Sequence, residues 1–175
     1  MNSILTAPRA KAAFRRESLP AHPLFEGLAG RHQQILAGCS MPASFAAGEL
    51  IFEAGEPASC FYLVMSGSIG LGTSTAHSPL RVQSVGPGDI LGWSWLFPPY
   101  YWHFDAIAEE ATDALFCYGS RLRQECDRNH DFGYELVKGM SQILVAHLQT
   151  TRKKWIEGAQ LNPSGKGIAL DYLMI

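Results

Sequence analysis

What this 175-residue chain lacks narrows it first. No two cysteines are spaced C-x-x-C; Cys39, Cys60, Cys117 and Cys126 lie far apart. Zinc-ribbon and iron–sulfur sites need close-spaced thiolates, so both are disfavoured, and reduced structural thiols of a cytosolic protein are expected. The histidines His22, His32, His77, His103, His130 and His147 contain no H-x-H pair. No G-x-S-x-G elbow occurs, and Ser66 sits in an ordinary turn. No apolar run approaches the roughly 20 residues that span a bilayer. The first 16 residues carry Arg9, Lys11, Arg15 and Arg16 without the unbroken apolar stretch of a secretory signal, and read as a solvated tail. Charge is sparse at 17%, with a net of −2, so no basic excess points to nucleic acid. Repeats and low-complexity segments are absent as well.

What is present is apolar content of 47%, enough for one domain with a core. Between Gly48 and Gly92, apolar β-formers alternate with turn glycines about every dozen residues. Candidate strands are Glu49 to Phe52, Phe61 to Met65, Ser68 to Thr73, Arg81 to Val85, Asp105 to Ala108 and Ala114 to Tyr118, with a polar turn over Ser74 to Pro79. No helix-length segment separates them, which excludes parallel βαβ units and predicts an antiparallel roll or barrel. Leu24, Phe25, Leu28, Ile35 and Leu36 give one or two short helices within residues 17–40, with Arg31-His32-Gln33-Gln34 as an exposed face. Arg121 to Arg128 reads as a short helix. A longer one runs from about Phe132 to Glu157, with Asp131 as the expected N-cap. Val137, Leu144 and Thr151 repeat at seven, as do Ser141, Leu148 and Trp155, a partial heptad seam that predicts a two-helix dimer contact. Asn162 to Gly167 is a breaker cluster, followed by the short apolar strip Ile168 to Ile175.

The order of these landmarks resembles the cyclic nucleotide-binding domain of catabolite-activator-type (CRP/FNR-type) bacterial regulators. The residues that carry the resemblance are His22-Pro23-Leu24-Phe25, Phe45 to Phe52, Gly88-Asp89-Ile90-Leu91-Gly92, and Ala146 to Arg152 on the long helix. It implies an α+β, mainly β architecture: an antiparallel β-roll (jelly-roll-like) with short N-terminal helices and a long C-terminal helix. The division expected is a tail over 1–16, the roll over 17–130, the dimerisation helix over 131–157 and a tail over 158–175.

In that family a glutamate after the turn glycine takes the ribose, a short helix offers N–H groups to the cyclic phosphate, and an arginine with a Ser/Thr completes the site. A buried phosphate needs such a fixed cation and several donors. Here the glutamate position is Trp93, the arginine position falls at Trp102, and His103 stands near the Ser/Thr. The family's purine-contacting Thr-Ser pair becomes Thr151 and Arg152. Without a guanidinium, high-affinity cAMP binding by the family's route is not expected. The candidate ligand-binding residues are Gly92, Trp93, Ser94, Trp95, Tyr101, Trp102, His103, Phe104, Thr151 and Arg152. They suit a cyclic nucleotide held by substitute groups, or another planar or anionic small ligand.

The expectation is a non-catalytic, cytoplasmic regulatory or sensor module, homodimeric through the long helix, that signals to an unidentified protein partner. The alternative is a ligand-free scaffold whose aromatics fill a degenerate pocket. A cupin-like metalloenzyme is a remote third, because converging ligands are missing. Most regulators of this kind carry a helix-turn-helix after the long helix; the residues here leave no room for one, so DNA binding by this chain alone is not expected. Some members ligate haem from near His77, which is read here as a solvated turn residue.

Overall fold

The computed structural model describes residues 21–75 and 78–161. The terminal tails, His77, the Asn162 to Gly167 breaker and the strip after it lie outside the described residues. So do the side chains of residues 74, 75, 78–80, 154, 155 and 157–161, including Trp155 of the expected seam.

Eight strands make two antiparallel sheets. They are β1 (Ser40–Phe45), β2 (Leu50–Phe52), β3 (Cys60–Ser66), β4 (Ile69–Thr75), β5 (Ser78–Val85), β6 (Ile90–Leu91), β7 (Asp105–Ala108) and β8 (Thr112–Tyr118). One sheet has the order β1-β8-β3-β6, the other β2-β7-β4-β5. Helices α1 (Pro23–Glu26) and α2 (Gly30–Gly38) precede the strands; α3 (Gly119–Arg128) and α4 (His130–Leu161) follow them. This is the mainly β roll with a long C-terminal helix that the sequence predicted.

Two cores result from the alternation along β3. Cys60, Tyr62 and Val64 point into the space between the sheets, among Phe45, Phe52, Ile69, Val85, Leu91 and the small Ala106, Ala108 and Ala114. Phe61 and Leu63 point the other way, onto Leu24, Phe25, Leu36, Leu122, Phe132, Leu136 and Met140 of the helices. A strand covered on both faces reads as a continuous apolar run, as Cys60-Phe61-Tyr62-Leu63-Val64 does.

Several expectations are corrected. Strand β1 begins at Ser40, the last residue of the stretch read as helical, and runs along the edge of its sheet to Phe45. Pro42, poor as a strand former elsewhere, is tolerated on an edge. The β4–β5 hairpin extends to the Thr75–Ser78 pair, into what read as a turn. The N-cap of α4 is Asn129, whose Oδ1 accepts the Phe132 N–H at 3.1 Å. Asp131 lies in the first turn, with its carboxylate 3.7 Å from Arg31. His32 is buried rather than on an exposed face. Its Nδ1–H donates to Glu135 at 2.7 Å and its Nε2 accepts from Arg31, which ties α2 to α4.

The turn from β3 into β4 depends on Gly67. Its φ is +86°, and a Cβ there would stand 2.6 Å from the Ala111 carbonyl and collide with the Thr112 hydroxyl. A left-handed backbone and a collision with main chain add, so Gly67→Ala should cost about 2–4 kcal/mol in urea denaturation. A loss under about 0.5 kcal/mol would mean that the turn relaxes freely.

Candidate functional site

The Gly88-Asp89-Ile90-Leu91-Gly92 turn delivers the chain to the candidate site. Gly92 adopts φ +90°, and the chain then makes a single 3-10 turn, Trp93–Trp95. The loop that follows returns to β7 and is held by residues 54–58. Gly55 N–H donates to the Trp102 carbonyl (2.8 Å), Trp102 N–H to Glu56 (3.0 Å) and Ala58 N–H to Tyr100 (2.7 Å). Ala54 N–H donates to the Asp105 carboxylate at 2.8 Å. No bond in this set comes from α4.

The aromatic residues of this segment go three ways. Trp102, 3% exposed, enters the space between the sheets and stacks on Phe52, with centroids 3.9 Å apart and planes at 17°. Its Nε1 lies beside Gly92, where a Cβ would approach it to 3.3 Å. That buried N–H has no hydrogen-bond partner among the described residues, and neither has the N–H of Trp95. Trp95 is fully buried on the opposite side of the sheet, in the helix-side core, stacked on Phe61 at 4.8 Å. Arg123 lies over both Trp95 and Tyr100 (5.9 and 4.9 Å to the ring centroids), and its Nη1 donates to the Trp95 carbonyl. Tyr101 is exposed, while Trp93 and Phe104 are half-buried.

Of the ten candidate residues, the structure brings Gly92 to Trp102 and Ser94 to His103, whose Oγ and Nδ1 are 3.2 Å apart at the surface. Trp95 and Trp102 share neither a core nor a face. Thr151 (half-buried) and Arg152 (exposed) sit on α4.

A group that sequence reasoning passed over lies at the base of the turn. Asp89 Oδ1 is 3.1 Å from His147 Nδ1 on α4, and its Oδ2 accepts the Gly86 N–H at 3.0 Å. His22 Nε2–H donates to the Asp89 carbonyl at 3.3 Å, and His22 Nδ1 accepts the Leu24 N–H at 3.2 Å, capping α1. Gln83 on β5 bonds the other nitrogen of His147. Burial alone would raise the Asp89 carboxyl. The His147 and Gly86 hydrogen bonds, with the charges of both histidines, outweigh it and hold the group below its ordinary value. Burial pushes His22 below the ordinary imidazole value, against its bond to Asp89 and the charges of Asp89 and Glu26. The motif marked Asp89, but nothing local marks His147 or His22 as its partners.

Desolvation pushes the thiols of Cys60 and Cys117 up to about 12, which keeps them protonated and unreactive. Among the described residues, no group of three or more His, Cys, Asp or Glu could hold a metal ion. No described helix is long and apolar enough to cross a membrane.

Comparison with known proteins agrees with this fold. The family described as "Cyclic nucleotide-binding domain" matches residues 42–129, half of the chain. A protein from Geobacter metallireducens GS-15 described as cyclic nucleotide-binding superimposes with a TM-score of 0.66 at 28% identity, over 73% of this chain and 92% of that one. The N-terminal domain of a transcriptional regulator from Streptomyces coelicolor A3(2) gives 0.59 at 21% identity, over 73% and 92%. The sensor domain of the transcriptional regulator DNR from Pseudomonas aeruginosa gives 0.58 at 18%, over 86% and 92%. No curated protein matches the sequence. The family match and the two-sheet roll with its long helix lead to one assignment: this chain belongs to the cyclic nucleotide-binding domain family.

Proposed function

We propose that the chain is a non-catalytic, cytoplasmic regulatory module that binds a small ligand other than cAMP, or cAMP only weakly, and signals through α4 to a protein partner. The observation that carries this is Trp102. Where the resemblance puts the phosphate-binding arginine, an indole stacks on Phe52 inside the roll. Trp93, at the glutamate position, offers no carboxylate for a ribose hydroxyl. A cyclic phosphate would enter an apolar space without a fixed cation, at a cost of several kcal/mol.

The unpaired Trp102 N–H supports a ligand of another kind. A buried donor without an acceptor costs about 1–3 kcal/mol, which a planar ligand with a carbonyl or ring-nitrogen acceptor would recover. At the loop surface, Ser94 and His103 offer a second polar contact. The scaffold reading is favoured by the same indole, since Trp102 already fills the space between Phe52 and Gly92.

Calorimetric titration with cAMP and cGMP tests the proposal. Heats too weak for a micromolar constant are expected. Micromolar or tighter binding of either nucleotide would overturn it, and His103 and Arg152 would then be mutated as phosphate partners. A screen of planar heterocycles with carbonyl acceptors, read by Trp fluorescence, separates ligand module from scaffold. Saturable quenching that is lost in Trp102→Phe supports the ligand; no response across the screen supports the scaffold.

A further inference from the structure

His22 stands at a junction of separate pieces of chain. It caps α1 through Nδ1, holds the turn before β6 through Nε2, and is 1% exposed. The same turn reaches α4 through the Asp89–His147 pair. Helix α1 also lies on α4 directly: a Cβ at Gly139 would stand 3.0 Å from Leu24 Cδ1.

We propose that His22 is a proton-sensitive latch: neutral, it locks α1 and the Gly86–Ile90 turn together beneath α4, and protonated, it releases α1. The chemistry is in the two nitrogens. As drawn by its partners, the ring accepts the Leu24 N–H at Nδ1 and donates from Nε2 to the Asp89 carbonyl. Adding a proton turns Nδ1 into a donor facing another donor, and an imidazolium has no acceptor left. The cap is lost, and a buried charge must move toward water.

The charged groups facing His22 are Asp89 from the turn and Glu26 from α1. Both favour the cation, yet burial outweighs them and the group stays below its ordinary 6.5. The sign follows. A base held lower in the folded state contributes stability that is complete above its ordinary value and lost as pH falls toward the folded one. Asp89, held below its ordinary 3.8, remains charged throughout that range. The groups facing Asp89 are His22 and His147. The carboxylate's link to α4 is a separate contact, made by the Nδ1–H of His147 and not by His22. Acid therefore frees the α1 side while the His147 side holds. The consequence for signalling rests on the α4 reading above; the latch itself does not.

Hydrogen exchange on the full chain, corrected for the intrinsic pH dependence, provides the test. Between about pH 7.5 and pH 5.5, residues 22–28 should exchange faster, by at most about tenfold for the uptake of one proton, while Ala146 to Gln149 keep their protection. His22→Asn keeps an acceptor for Leu24 N–H and cannot titrate, so its α1 should be insensitive to pH in the same window. Equal acid loosening in His22→Asn, or none in the wild type, would overturn the proposal. Should the variant fold poorly, the His22 Cε1–H resonance of the wild type decides. A titration midpoint below 6.5 is expected, and one at or above 6.5 overturns it. Neither readout involves a small ligand or the oligomeric state, so failure here is distinct from failure of the ligand or dimer readings.

Discussion

Trp102→Ala should lower stability by about 3–5 kcal/mol, among the largest losses any single side chain here can produce. The indole is 3% exposed, stacked on Phe52 and packed on Gly92, and it lies among small residues, Ala106 and Ala108, that cannot expand to fill the gap. Its truncation removes both the transfer energy and the contacts lining the cavity. Trp102→Phe keeps an aromatic face for Phe52 and deletes the unpaired N–H, so its cost should stay below about 1.5 kcal/mol. The contrast separates packing from hydrogen bonding. Urea denaturation of both variants measures it, with an unchanged m-value confirming that the folded state keeps its compactness. A loss under about 1 kcal/mol for Trp102→Ala would mean that the indole is not a core element and that the roll interior is open to solvent. Near-equal losses for Ala and Phe would mean that the N–H has a bound acceptor, a water or ligand, whose removal is itself costly.

The aromatic-rich loop was conspicuous in sequence, yet its division was not. Trp95 and Trp102 enter different cores because the 3-10 turn sits at the end of the sheet, where a few residues of chain can reach either face. Periodicity assigns faces within a strand, not in the irregular loop between Trp95 and Asp105. The strands themselves were legible in proportion to their packing. Strand β7 was located to the residue, and β3 announced itself by an apolar run covered on both faces. Strand β1 was hidden by two serines and by Pro42, a residue that sheets confine to edges and strand ends, and β6 is two residues within a turn motif. His32 looked like part of a polar surface because its partner, Glu135, lies on a helix far along the chain. The Asp89–His147 contact was obscure for the same reason: a tertiary contact leaves no local pattern.

The second large effect concerns α4. Leu136, Met140 and His147 face the chain's own roll. Rotated from them lies a stripe with no cover in the described chain: Val137 and Leu144 are 40% and 43% exposed, with Ser141 between them and Val145 and Ile156 alongside. Val137, Ser141 and Leu144 are members of the heptad seam read from sequence, whereas Val145 and Ile156 are not, and a stripe of this kind is stabilised by a second helix. We therefore expect a homodimer in sedimentation velocity, and a loss of at least 100-fold in dimer affinity for Leu144→Asp. That factor corresponds to about 2.7 kcal/mol, well within the cost of burying an unpaired carboxylate at the centre of a seam. Gln142→Asp, outside the heptad positions and far round the helix from Leu144, should leave the dimer intact. Both variants should keep the monomer's fold, because neither residue belongs to the two cores. A wild type that sediments as a monomer at tens of micromolar would reassign the stripe to a different protein. A dimeric Leu144→Asp would place the contact elsewhere and remove α4 as the route from roll to partner. In the expected case, the helix that carries the seam is the one pinned by Asp89 and by α1, so a change in the roll has a direct mechanical path to the dimer.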